Sequence, residues 1–146
     1  MADADMNALD DTAASLPLRV LIVDDSPWLR QSVRAALEQA GLVVVGEAAD
    51  GANALTQAAA HLPDVVLMDL RMPVMDGVEA TRALRRRQPR TRVVLWTVDD
   101  DTRLASAVRE SGADAGVAKG IRTSELIATL HEAGTGTVPQ PGPRPG

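Results

Sequence analysis

Carboxylates, a hydroxyl and an ammonium group stand at the ends of short apolar runs in this sequence. The residues are Asp24 and Asp25 after Val-Leu-Ile-Val, Asp69 after Val-Val-Leu-Met, Thr97 after Val-Val-Leu-Trp, and Lys119 after Ala-Gly-Val-Ala. Short, fully apolar runs are typical of strands buried on both faces, as in a parallel sheet. Parallel strands all end at one edge of the sheet, where α/β proteins bind ligands. We therefore expect these side chains to meet in space.

Three carboxylates in one place repel one another unless they hold protons or a cation. Mg²⁺ suits such a set because it takes one or two carboxylates, keeps waters and completes its shell with phosphate. Thr97 adds a neutral hydrogen-bond donor and Lys119 a compact positive charge. A metal, a hydroxyl and an ammonium around one carboxylate indicate phosphoryl transfer. The carboxylate can itself be the nucleophile and form an aspartyl-phosphate.

Each of these residues also has a simpler interpretation. Asp69 alone could be a turn residue, and Asp24-Asp25 could favour the N-terminus of the next helix. Thr97 could be an ordinary strand-end hydroxyl, and Lys119 an ordinary surface base, although it is the only lysine among 15 lysines and arginines. The hypothesis of a shared site therefore depends on the predicted parallel sheet.

The elements that must position these residues alternate between strand and helix. Ser26 and Pro27 are typical of an N-cap and a first helical residue, Gly41 of a C-terminal cap, and Asp76 of the start of a capping box. Five strand–helix repeats with short connections predict an α/β domain, a parallel sheet covered on both faces. The predicted strands are Arg19–Val23, Leu42–Val45, Val65–Asp69, Val93–Thr97 and Ala115–Ala118. Thr123 or Ser124 is expected to cap the last helix, which should run to about His131.

Composition predicts one domain between two tails. Residues 1–17 carry four aspartates among small residues, which predicts a disordered acidic tail, and residues 18–133 form the folded domain. Residues 134–146 are rich in proline and glycine and predict a linker-like tail. The net charge of −5 argues against nucleic-acid binding by this domain, and the arginines from 82 to 92 are interpreted as a solvated helix end.

Several classes of protein are excluded by what the sequence lacks. It contains no cysteine, which excludes disulfides and thiolate metal sites. No apolar run reaches membrane-spanning length, and the N-terminus lacks the layout of a signal peptide. The expected location is therefore the cytoplasm, without membrane contact.

Four motifs in order resemble the CheY-like receiver domain of two-component response regulators. They are Val-Asp-Asp-Ser-Pro, Met-Asp-Leu-Arg-Met-Pro-Val-Met-Asp-Gly, Trp-Thr-Val and Gly-Ala-Asp-Ala-Gly-Val-Ala-Lys, within Leu18 to about Ala133. The resemblance implies a flavodoxin-like (βα)5 doubly wound fold with five parallel strands in the order 2-1-3-4-5 and helices on both faces. The Gly-Ala-Asp segment and the lack of proline after Lys119 are most similar to receivers joined to a helix-turn-helix output domain.

The same resemblance implies a phosphorelay function. Asp69 would accept a phosphoryl group from a histidine kinase and so switch a downstream output, expected to be transcription. Thr97 and Lys119 would hold the phosphoryl oxygens. A homodimer through the helix 4–strand 5–helix 5 face is also implied. Such a domain is a switch that assists its own phosphorylation and dephosphorylation, not a turnover enzyme.

The implied cofactor is Mg²⁺, with Mn²⁺ as a substitute. The resemblance places the metal on Asp25, Asp69 and the backbone carbonyl of Arg71, with Asp24 assisting through water. Arg71 and Asp99 stand where the family tunes the lifetime of the phosphoryl group, and they are expected to pair across the mouth of the site.

The chain departs from the family pattern at three positions. Gly116 stands where receivers usually carry a switching aromatic residue, so the usual threonine–aromatic coupling cannot operate. Val98 replaces a small residue and is expected to crowd the phosphoryl pocket and slow both phosphorylation and its reversal. Gly120 follows the lysine where proline is frequent.

The sequence also leaves other functions open. One is a stand-alone or atypical receiver, with weak or absent phosphorylation switching, that acts through protein contacts. Another is a phosphatase of the haloacid-dehalogenase type, but Arg71 stands where those enzymes carry a second acid. Trp96 is expected in the core, and Trp28 half exposed, either in contact with the kinase or simply packed.

Overall fold

The structure is a computed structural model that describes residues 16–136, in which strands and helices alternate. The strands are β1 (Arg19–Val23), β2 (Val43–Ala48), β3 (Val65–Asp69), β4 (Arg92–Thr97) and β5 (Ala115–Ala118). The helices are α1 (Pro27–Gln39), α2 (Gly51–His61), α3 (Gly77–Arg87), α4 (Asp101–Ser111) and α5 (Thr123–Gly134). The predicted acidic tail, apart from its last two residues, and all but the first three residues of the linker-like tail lie outside the described residues.

The five strands are parallel and follow the order β2-β1-β3-β4-β5, as predicted. The central strand β3 is buried at all five positions, which explains its unbroken apolar run. Helices α2, α3 and α4 cover one face through residues such as Leu55, Leu84 and Leu104. Helices α1 and α5 cover the other through residues such as Leu37 and Leu130. All carboxyl ends of the strands therefore lie at one edge.

Side-chain caps begin four of the helices. Ser26, Asp50, Asp76 and Asp100 each accept a hydrogen bond from the backbone N–H three residues later. Each such bond satisfies a donor that the helix leaves free and contributes about 1 kcal/mol. Gly41 follows α1 with a φ of +89°, which agrees with its predicted role at the helix end.

Helix α5 corrects the sequence prediction at both ends. Arg122 is its N-cap and makes no side-chain capping bond, so Thr123 and Ser124 are not the cap. The helix also continues to Gly134, because Leu130 and Ala133 are buried against the sheet. Strand β2 is likewise longer than predicted and ends at Ala48. Within residues 16–136, no helix has both the length and the apolar character needed to span a membrane.

Candidate functional site

Asp24, Asp25 and Asp69 come together at the carboxyl edge of the sheet. The parallel pairing of β1 with β3 places Val23 beside Met68, so the residues after these positions emerge as neighbours. One carboxylate oxygen from each aspartate lies within 4.8 Å of the other two. Asp24 and Asp69 are buried, whereas Asp25 is exposed. The predicted acidic cluster is therefore present.

Lys119 reaches this cluster from the end of β5. Its Nζ donates a hydrogen bond to Asp24 Oδ2 at 2.7 Å and lies 3.3 Å from Asp69 Oδ1. Burial lowers the pKa of Lys119, but the hydrogen bond to Asp24 and the charge of Asp69 outweigh it and hold the pKa above its usual value. The ammonium therefore stays charged and offsets part of the negative charge around Asp69.

Asp69 is the most perturbed carboxyl of the site. Burial, and then the neighbouring charge of Asp24, raise its pKa to about 6, against the opposing effects of Lys119 and the Arg71 N–H. The Arg71 N–H donates to Asp69 Oδ1 at 3.3 Å. A carboxylate that is hard to keep charged gains stability from any additional cation nearby. The site is thus suited to recruit one.

Thr97 ends β4 at the same edge of the sheet and is 1% exposed. Its Oγ1 accepts a hydrogen bond from the Asp99 N–H at 3.1 Å, which leaves its own hydroxyl proton free to donate elsewhere. The Thr97 carbonyl accepts from the Lys119 N–H at 2.9 Å and ties the ends of β4 and β5 together. Trp96, the preceding residue, is in the core as predicted.

The acidic cluster fits a hard divalent cation. Ligands on opposite sides of a Mg²⁺ ion are roughly 4.2 Å apart, comparable with the spread of the three carboxylates. Asp24 already accepts from the Ser26 N–H through Oδ1 and from Lys119 through Oδ2. Its oxygens are therefore better placed to bond a metal-held water than the metal itself. Asp25 is the most accessible of the three carboxylates.

Arg71 and Asp99 do pair across the mouth of the site. Arg71 Nε donates to Asp99 Oδ2 at 2.7 Å, and Arg103 Nε lies 3.7 Å from the same oxygen. This contact joins the loop after β3 to the start of α4. A cleft of about 600 Å³ between α3 and α4 adjoins the pair, but the acidic cluster does not line it.

Exposed apolar side chains follow the carboxyl ends of three strands. Trp28 is 75% exposed, more than expected, so the interpretation of simple packing is wrong. Val98 is 80% exposed, and its predicted crowding of a bound phosphoryl group stays a prediction. Val74, also exposed, has a φ of +69° in the loop after β3.

Helix α4 fills the space beside Gly116. A Cβ atom at this position would lie 2.8 Å from side-chain atoms of both Leu104 and Val108. The sequence shows that the aromatic residue is missing, but it does not show which side chains fill the space. Leu104 is only one of several apolar residues on an amphipathic helix, so nothing in the sequence distinguishes it. An aromatic side chain at position 116 has no room here without movement of α4.

Comparison with known proteins identifies the family of this chain. The sequence matches the response regulator receiver domain family over residues 20–131. This chain belongs to the response regulator receiver family. The resemblance based on four motifs is thereby confirmed, as is the predicted fold.

Individual relatives agree with this assignment. Probable transcriptional regulatory protein NarL of Mycobacterium tuberculosis is 39% identical over 120 residues, which cover 82% of this chain and 56% of that protein. Protein-glutamate methylesterase/protein-glutamine glutaminase 3 of Hahella chejuensis is 46% identical over 97 residues, 64% of this chain and 28% of that protein. The solved signal receiver domain of NarL from M. tuberculosis superposes with a TM-score of 0.76 at 37% identity, over 82% of this chain and 98% of that one. The chain thus spans about half the length of its NarL relative.

Proposed function

We propose that this receiver domain accepts a phosphoryl group on Asp69 from the phosphohistidine of a histidine kinase and thereby controls a transcriptional output. The observation that carries the proposal is the buried Asp69 carboxylate between a lysine and two further aspartates, at the open edge of the sheet. The relationship to a transcriptional regulatory protein supports the choice of output.

The proposed chemistry is a transfer between two nucleophiles. A carboxylate oxygen of Asp69 attacks phosphorus, the P–N bond to the imidazole breaks, and the imidazole nitrogen leaves with the electron pair. In this proposal Lys119 Nζ and the hydroxyl proton of Thr97 donate hydrogen bonds to the phosphoryl oxygens, which is supported by the 3.3 Å between Lys119 Nζ and Asp69 Oδ1. Hydrolysis reverses the state when water attacks the same phosphorus and Asp69 leaves as a carboxylate.

Mg²⁺, or Mn²⁺ in its place, would be held by Asp25, Asp69 and the Arg71 carbonyl, with Asp24 acting through water. When bound, the ion neutralises negative charge on the phosphoryl group and on the attacking carboxylate. This charge would otherwise be repelled by the acidic cluster that surrounds it.

The proposed switch is a change of partner by Lys119 and Thr97. In the free protein, Lys119 bonds Asp24, and the Thr97 hydroxyl oxygen accepts from the Asp99 N–H. A phosphoryl group on Asp69 carries nearly two negative charges, and its oxygens are new hydrogen-bond acceptors for both side chains. Because Thr97 and Asp99 precede α4, a shift of Thr97 is expected to move this loop and its contact with Arg71.

The proposed partners are a sensor histidine kinase, an output domain of the helix-turn-helix type, and a second copy through α4, β5 and α5. In this role the domain is a switch without turnover. The second acid of haloacid-dehalogenase phosphatases is replaced by Arg71, which is paired with Asp99. An atypical receiver with weak switching is the second candidate, supported by the Leu104 and Val108 packing that leaves no room at Gly116.

Incubation with Mg²⁺ and acetyl phosphate, followed by intact-mass measurement, tests the function. We expect one phosphoryl group on the wild type and none on Asp69→Asn. Asp76→Asn, which alters only a helix cap, is the matched control and should be modified like the wild type. A modified Asp69→Asn protein, or an unmodified wild type, would contradict the proposal. Repeated turnover of phosphate monoesters would instead support a phosphatase.

A further inference from the structure

Trp96 lies against the ammonium group of Lys119. The Lys119 Nζ is 5.0 Å from the centroid of the Trp96 ring, within the range of a cation–π interaction. Trp96 is 2% exposed and belongs to the core beneath α1 and α5. The Lys119 side chain is 16% exposed, so this contact is largely shielded from water. Shielding strengthens the attraction between a cation and a ring face.

The backbone holds Trp96 at a central point of the site. Trp96 pairs with Asp69 in the β3–β4 register and with Val117 in the β4–β5 register. The Trp96 carbonyl accepts from the Leu70 N–H at 3.1 Å. The ring is thus carried by the strand that lies between the phosphoacceptor strand β3 and the strand β5 that precedes the lysine.

No hydrogen bond from the indole N–H fixes the Trp96 ring in the described part of the chain. Among the described residues, Trp96 Nε1 is a buried donor without a hydrogen-bond partner. An aliphatic side chain would avoid this desolvation penalty, so the presence of tryptophan is not explained by hydrogen bonding. The contact with Lys119 is the one polar interaction found for this ring within residues 16–136.

We infer that Trp96 is a positioning residue that holds the Lys119 ammonium beside Asp69 through its ring face. This inference rests on the proposed function of Asp69. Asp24 and Trp96 then restrain the same Nζ atom, Asp24 by a hydrogen bond at 2.7 Å and Trp96 by its ring face. Lys119 is thereby preorganised for an incoming phosphoryl oxygen, which is where electrostatic assistance is most effective.

A double-mutant cycle tests the contact without any phosphoryl donor. Urea unfolding is measured for the wild type, Trp96→Leu, Lys119→Met and the double variant. We expect Trp96→Leu to raise the unfolding equilibrium constant in both backgrounds. The increase should be roughly 3- to 30-fold larger when Lys119 is present than in the Lys119→Met background. Equal effects in both backgrounds would overturn the inference, whatever the phosphorylation data show.

Phosphorylation kinetics test the positioning role. With acetyl phosphate and Mg²⁺, Trp96→Leu should be phosphorylated roughly 3- to 30-fold more slowly than the wild type, and Trp96→Phe should recover part of the rate. Val94→Ala is the matched control, because Val94 lies two residues earlier in the same buried core and should leave the rate unchanged. If Trp96→Leu reacts as fast as Val94→Ala, Trp96 does not position Lys119 and the inference is overturned.

Emission from Trp96 distinguishes the failure of this inference from failure of the proposed function. In a Trp28→Phe background only the buried Trp96 emits, and Lys119→Met should change its intensity or wavelength before any donor is added. If this change and the cycle are present but the wild type is not phosphorylated, the proposed function fails while the contact stands. If Lys119→Met leaves the Trp96 emission unchanged, the contact itself is contradicted.

Discussion

At the scale of single residues, the site is defined by a conflict between burial and charge. Asp69 is nearly enclosed and lies beside Asp24, and both features oppose its ionisation. Lys119 relieves part of this conflict but is shared between the two carboxylates. The unphosphorylated domain therefore holds an unfavourable charge that a cation relieves.

We predict that Asp69→Asn stabilises the metal-free domain in a pH-dependent way. The folded pKa of about 6 lies above the usual value of 3.8, so the unfolded chain loses this proton first as pH rises. As pH rises from 3.8 to about 6, the free energy of unfolding of the wild type falls relative to that of the variant. The full difference is reached above pH 6. The variant should gain less than about 1 kcal/mol at pH 4 and up to about 3 kcal/mol at pH 7.5.

Urea unfolding with EDTA at pH 4, 5, 6 and 7.5 measures this difference. Asp25→Asn, which removes an exposed carboxylate from the same cluster, is the control and should give a smaller change. Added Mg²⁺ should stabilise the wild type more than Asp69→Asn at pH 7.5. A gain that is constant with pH would show that Asp69 is not the titrating group.

Val98→Ala should be phosphorylated and dephosphorylated faster than the wild type, because it removes bulk next to the incoming phosphoryl group. Relief of about 1 kcal/mol of crowding corresponds to roughly fivefold in each rate. The side chain is 80% exposed, so stability should change by no more than about 0.5 kcal/mol. Rates are followed by intact mass with acetyl phosphate, and unchanged rates would exclude crowding.

At the scale of elements, the loop after β3 and the start of α4 are joined by one ion pair. We predict that Arg71→Ala and Asp99→Ala each shorten the phosphoryl lifetime roughly two- to fivefold, because the pair hinders the attacking water. The double variant should be no shorter-lived than either single one. Decay of the phosphorylated mass after donor removal measures this.

Arg103→Ala is the control for this pair. Arg103 approaches the same Asp99 oxygen less closely, at 3.7 Å, and should have a smaller effect. Multiplicative effects of the two single variants would mean that Arg71 and Asp99 act independently.

The packing of α4 on β5 yields a second prediction at this scale. Gly116→Ala should destabilise the domain by about 1 to 3 kcal/mol, since its Cβ would press on Leu104 and Val108. In a background that carries both Leu104→Ala and Val108→Ala, the same substitution should be close to neutral. Gly120→Ala, whose Cβ would meet nothing within 4 Å, is the control and should be tolerated. Thermal unfolding of these variants checks the prediction, and a tolerated Gly116→Ala in the wild-type background would contradict it.

At the scale of the whole molecule, both faces of the sheet are covered by residues from Leu18 to Ala133. We predict that a fragment of residues 16–136 melts within about 4 °C of the full chain, because the core residues that cover the sheet in the described part of the chain lie between Leu18 and Ala133. It should also be phosphorylated at the same rate. A larger loss in either measurement would show that the removed residues stabilise the domain.

The sequence was most informative where its pattern was local and repeated. The unbroken apolar run of β3 predicted a buried strand, and its position predicted that Asp69 would emerge at the sheet edge. Local patterns were less informative at α5, where Thr123 and Ser124 are good capping residues but Arg122 takes the position. Burial of Ala133 then extended the helix beyond the predicted end, and burial is a tertiary property.

The sequence by itself therefore determined the alternation of elements, the parallel sheet and the residue types available at its carboxyl edge. Only the tertiary structure showed that Lys119 contacts both Asp24 and Asp69. It also showed that Trp96 lies against that lysine and that α4 occupies the space beside Gly116. The physical reason is that strand and helix patterns arise from neighbours along the chain. The contacts of Lys119 join residues far apart in sequence, and those of Gly116 join a strand to a separate helix. Their distances exist only once the sheet and its helices have packed.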